Sequence, residues 1–135
     1  MDRVRQMFQT HPAPASDAGE EAFALVRAAA ECTYTCTTCA DACLEEDDPS
    51  DLRACIRLNL DCAGICSETA RLIARPGAQD RTVLQAQLEA CIVACRACAE
   101  ECERHADHHE HCRICAESCR ECADACERMT GALVG

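Results

Sequence analysis

The stretch Cys112–Cys126, CRICAESCRECADAC, places cysteine at 112, 115, 119, 122 and 126. Steps of three and four residues trace one stripe along an α-helix. A core helix ordinarily sets Leu, Ile and Val on such a stripe. Here the stripe is thiol, and the residues between its rungs are mostly good helix formers.

The same device recurs three more times upstream. Cys32, Cys36, Cys39 and Cys43 form one ladder, and Cys91, Cys95, Cys98 and Cys102 form another with the same steps. Cys55, Cys62 and Cys66 make a third, in which Asn59 stands on the missing rung. Four thiol stripes predict four helices. The first is expected from about Asp17 to Leu44, with Ser16 and Asp17 as cap candidates after the breaker His11-Pro12-Ala13-Pro14. The second is expected from Pro49 to about Ala74, with Asp48 before Pro49 reading as N-cap and first helical residue. The third is expected from near Asp80 to about Arg104. The fourth is expected from about His111 to Thr130, with Gly131 ending it. Residues 1–10 fit a short helix of their own.

Short connections between four such helices predict an all-α, antiparallel up-down-up-down four-helix bundle with a cysteine-lined core. A length of 135 residues fits a single domain over 1–135, with 1–15 as an N-terminal segment and about 17–130 as the bundle. The chain has no Trp and only 2% aromatic residues, so the usual bulky core anchors are missing. Extending each stripe by helical steps leads to Leu25, Ile73, Leu88 and Leu84, and Met129 and Leu133. In an up-down-up-down bundle these positions share one end. The other end collects Cys43, Cys55, Cys102, Cys112, His105, His109 and His111, beside the acidic loop Glu45–Asp48. The sequence thus predicts a tube closed by aliphatic residues at one end, with a histidine mouth at the other.

Sixteen cysteines bound the chemistry. No apolar run follows the N-terminal arginines and no stretch is apolar enough to span a membrane, so the expected compartment is a reducing cytoplasm with free thiols. A net charge of −11 argues against nucleic acid and anionic membrane as partners and favours cations. Thiols one helical turn apart have Cβ atoms about 5–6 Å apart, too far for a disulfide. A metal bridge suits them better: metal–sulfur bonds of about 2.3 Å put two linearly bridged sulfurs about 4.6 Å apart. Soft thiolates select Cu(I), Zn(II) or iron–sulfur clusters. Cu(I) accepts two or three sulfurs, which suits rigid helices, whereas the usual ferredoxin spacing is absent. As thiols the same residues behave as small hydrophobes, so the metal-free chain is expected to be helical.

All sixteen cysteines are therefore candidate ligands. His105, His109 and His111 are candidates for binding metal or gating access. His108 and His11 are expected in solvent. Asn59 is a polar loading candidate or a tolerated buried amide. No nucleophile–base pair stands out, and the reading is non-enzymatic. Two rivals stay open: a zinc or iron–sulfur electron-transfer protein, and a thiol redox or disulfide-stapled structural bundle.

The ladders at 32–43, 91–102 and 112–126 resemble those of bacterial copper storage proteins, the Csp family, in its cytosolic class. The likeness spans about residues 20–130. It implies storage of multiple Cu(I) ions along the bundle axis and assembly as a homotetramer. Such storage lowers free copper, so copper tolerance is expected, with a copper chaperone as candidate donor. Other members of the family carry a twin-arginine export signal, and none is expected here. Asn59 departs from a full ladder.

Overall fold

The computed structural model describes residues 1–13 and 18–134. A short helix α1 (Asp2–Gln9) precedes four long ones: α2 (Gly19–Leu44), α3 (Arg53–Ile73), α4 (Arg81–His105) and α5 (Glu110–Val134). The long helices pack antiparallel in a ring. α2 lies against α3 and α5, and α4 lies against the same two. Every thiol stripe therefore faces one shared axis.

Helix boundaries follow capping chemistry. The Asp48 carboxylate accepts from the Ser50 backbone N–H at 3.2 Å, and Pro49 follows as the first residue of a 3-10 turn, Pro49–Leu52. That turn, rather than α-helix, occupies the predicted start of the second long helix, and its Leu52 is buried beside the sulfur core. Asp80 caps α4 by accepting from the Val83 N–H at 3.0 Å. The predicted cap residues Ser16 and Asp17 lie outside the described residues.

Gly131 does not end the last helix, which continues to Val134. A glycine stop needs the left-handed backbone conformation, and among the described residues no glycine adopts positive φ. Leu133 packs against the core instead, and its carbonyl accepts from Arg81 Nη1 at 2.7 Å. Those contacts outweigh the roughly 1 kcal/mol that glycine costs inside a helix.

The core has the predicted polarity. Leu25, Ile73, Leu84, Leu88 and Met129 are buried and Leu133 packs on them. α1 leans on this end: Phe8 meets the Phe23 ring edge-on at 5.9 Å, and the Arg5 guanidinium lies 4.2 Å from the centre of the same ring. Outside, cross-helix ion pairs join Arg120 to Glu103, Arg96 to Glu127 and Arg128 to Glu21. Exposed pairs like these add little each. Burial of the axis residues is what holds the helices together.

Candidate metal centre

Each helix delivers its sulfurs inward, and all sixteen cysteines are free and no more than 2% exposed. Neighbouring sulfurs make a continuous web. Along helices, Cys32 and Cys36 stand 3.7 Å apart, as do Cys62 and Cys66. Across helices, Cys36 meets Cys119 at 3.5 Å, Cys66 meets Cys95 at 3.5 Å and Cys122 at 3.8 Å, and Cys32 meets Cys62 at 3.9 Å. These spacings are far longer than the S–S bond of about 2.05 Å. They are also shorter than the 4.6 Å or so of a linear bridge. With bonds of about 2.3 Å, sulfurs around one ion stand about 4.0 Å apart in a trigonal site and about 3.8 Å apart in a tetrahedral one. The web is spaced for shared three- or four-fold sites. Linear sites along single helices need the pairs to open.

Potential ligand groups accordingly draw on several helices. Cys32, Cys66, Cys95 and Cys122 form a quartet with one sulfur from each long helix. Cys32, Cys36, Cys62 and Cys119 form a second, and Cys36, Cys98, Cys115 and Cys119 a third. Within each group the ligand atoms lie within 4.8 Å of one another. Cys32, Cys36 and Cys119 each belong to two of these groups, so adjacent sites share sulfurs. Cys91 joins the web through Cys66 at 3.9 Å, and Cys126 is buried next along the α5 stripe.

Asn59 sits wholly buried on the empty rung of α3. Its Oδ1 accepts from the Cys98 and Cys115 thiols, each at 3.0 Å, and its Nδ2 points at Cys55 Sγ at 3.6 Å. The amide thus stands in for a missing sulfur by hydrogen bonding to those around it, and its burial carries no unsatisfied group.

At the mouth, Cys39, Cys43, Cys112 and His111 form a mixed quartet, and Cys39, Cys55 and Cys102 a trio. His111 Nδ1 lies 3.4 Å from Cys39 Sγ and 3.7 Å from Cys112 Sγ. His109 is in the turn after α4, not on that helix, and its Nδ1 meets Glu46 Oε2 at 2.8 Å. His105 turns its Nε2 onto Glu101 Oε2 at 2.8 Å. His108 and His11 are exposed, as predicted. Glu101 was not legible as a site residue, because an acid between Glu100 and Glu103 on a helix reads as surface; its burial and its contact with His105 mark it out.

Burial, then the neighbouring charge of Cys39, pushes the Cys43 thiol up. Hydrogen bonds from Cys102 and then Cys112 bring Cys55 down to about 7. Deeper in, Cys66 and Cys119 are held well above the ordinary thiol range, first by hydrogen bonds to Cys122 and Cys115 respectively. Cys66 and Cys119 therefore keep protons that an incoming cation can replace, whereas hydrogen bonds from neighbouring thiols hold Cys32, Cys62 and Cys91 below the ordinary thiol range.

The profile of copper storage proteins matches residues 18–131. The chain belongs to the copper storage protein family.

A copper storage protein of Streptomyces lividans, Ccsp, solved loaded with 10 copper equivalents, is 42% identical to this chain, with a TM-score of 0.92. The match covers 96% of this chain and 98% of that one. A Cu(I)-bound copper storage protein, BsCsp3, is 32% identical over 81% of this chain and 97% of its own, with a TM-score of 0.72. A cysteine-rich protein of Bacillus subtilis strain 168, YhjQ, is 35% identical over 93 residues, which is 69% of this chain and 81% of that protein. Among the described residues of this family member, no helix is long and apolar enough to cross a membrane.

Proposed function

We propose that this chain stores multiple Cu(I) ions on the thiols of its bundle core and so confers copper tolerance in the cytoplasm. One observation carries the reading: sulfurs from all four long helices meet in groups that share members. Shared sulfurs favour a polynuclear thiolate store over a single isolated ion. The copper-loaded relatives, with the same fold, support the choice of metal.

The proposed step is exchange. A Cu(I) ion binds a thiol sulfur and the thiol proton leaves, so the buried charge does not grow as the core fills. Fully ionising sixteen thiols in a dry core is untenable, and stepwise replacement avoids it. All sixteen cysteines serve as ligands. His105, His109 and His111 line the route in, with Cys55 and Cys112 just inside. Asn59 receives ions entering the web, since its oxygen already gathers the Cys98 and Cys115 thiols. A copper chaperone is the proposed donor. A homotetramer is the proposed assembly; the exposed Tyr34, Leu60, Val93 and Ile114 offer apolar surface for it.

Anaerobic titration with Cu(I) against a competing chelator tests the reading. Saturation well beyond two ions per chain, with no visible colour, is the expected result. Saturation at one or two ions overturns it, and strong visible absorption after anaerobic isolation points to iron–sulfur instead.

A further inference from the structure

We propose that Glu46 is the positioning residue of the mouth: its carboxylate sets which nitrogen of His111 carries the proton and so aims the Nδ1 lone pair at Cys39 and Cys112. This deepens the storage reading and rests on His111 meeting copper there.

Within the acidic loop Glu45–Asp48, Glu46 alone is partly buried; the other three are exposed. Its Oε2 takes the His109 Nδ1 contact at 2.8 Å, and its Oε1 faces His111 Nε2 at 3.7 Å. The two rings stack, with centres 5.5 Å apart and planes 28° apart. His111 Nε2 is buried and has no hydrogen-bond partner, and the Glu46 oxygen 3.7 Å away is the charged group that faces it, too far for a hydrogen bond but close enough to bias its proton electrostatically. Across the ring, Nδ1 looks at Cys39 Sγ at 3.4 Å and Cys112 Sγ at 3.7 Å.

A neutral imidazole has one N–H and one lone pair. With the proton on Nδ1, His111 points a hydrogen at the sulfurs and cannot ligate. With the proton on Nε2, it presents a lone pair to the site formed with Cys39, Cys43 and Cys112. An ionised carboxylate only accepts, so it favours N–H on both nitrogens that face it. Ligating histidines commonly donate their other ring N–H to an outer carboxylate, and Glu46 faces that nitrogen of His111 from 3.7 Å. A carboxamide has one accepting oxygen and one donating nitrogen, so it cannot favour N–H on both rings at once.

The test uses the full-length, reduced protein. Long-range proton–nitrogen spectra of the imidazoles report the tautomers before copper is added, and stopped-flow Cu(I) uptake reports loading. The wild type is expected to hold His111 as the Nε2–H form. E46A and E46Q are expected to move His111, or for E46Q one of the two stacked rings, toward the opposite tautomer. They are expected to slow uptake about tenfold, at the low end of what outer partners contribute, with helicity and final copper count unchanged. An Nδ1–H His111 in the wild type, unmoved tautomers in E46A, or unchanged uptake each overturns the inference. H111A separates the two levels. Slow loading in H111A with normal loading in E46A removes only the role of Glu46, whereas normal loading in H111A removes the mouth reading beneath it.

Discussion

Asn59 shows how one residue holds its place among sulfurs. It is fully buried, yet each end of its amide faces a thiol. Thiols are weak donors, so these bonds sit at the low end of hydrogen-bond strength. N59A removes the acceptor of three thiols, Cys98, Cys102 and Cys115, and leaves a small cavity. We expect the reduced, metal-free protein to lose about 1–3 kcal/mol of stability, measured by urea unfolding. The Cu(I) count at saturation should stay the same, because the sulfurs themselves remain. A loss of several ions would mean that the amide builds the sites rather than filling a gap between them. Sequence marked Asn59 as a break in the pattern and left open a loading site or a buried amide. Its thiol donors Cys98 and Cys115 come from other helices and so were invisible along the chain, whereas Glu101 meets Arg104 and His105 within one turn of its own helix.

At the scale of the element, each long helix joins ordinary helix formers on its outer faces to an inner stripe of thiol. α3 carries Gly64 on its exposed side, where a Cβ would meet nothing within 4 Å and the backbone is helical. G64A should therefore raise stability by about 0.5–1 kcal/mol, since alanine lowers the entropy of the unfolded chain without strain. Thermal unfolding of the metal-free form measures it, and a fall in midpoint would show that a neighbouring subunit packs closely against that face. Capping was readable for α4 and for the turn at Pro49, because Asp48 and Asp80 act within a few residues of themselves. The end of α5 was not. Whether Gly131 stops a helix depends on what lies beyond it, and Leu133 and Arg81 are brought together only by the folded bundle.

For the whole molecule, the ring of four antiparallel helices makes a tube with an aliphatic floor and a histidine and carboxylate mouth. Filling it should couple copper to protons and to stability. Weakly buffered titration is expected to release about one proton per Cu(I) bound, the ratio that keeps the dry core near neutral. The melting temperature should climb with each addition, because the preassembled web binds the ion more tightly than the separated thiols of the unfolded chain. Copper uptake without proton release would mean that the core already holds thiolates, contrary to the exchange step.

The thiol ladders by themselves determined the helices, the face each one buries, the polarity of the tube and the softness of its cargo. Those properties repeat every three or four residues, so the helical period exposes them. Only the tertiary structure decided which sulfurs share a site, because the quartets cross helices and depend on how the ladders are staggered. It also placed Glu46 over His109 and His111, a meeting of residues more than sixty positions apart that no local pattern encodes.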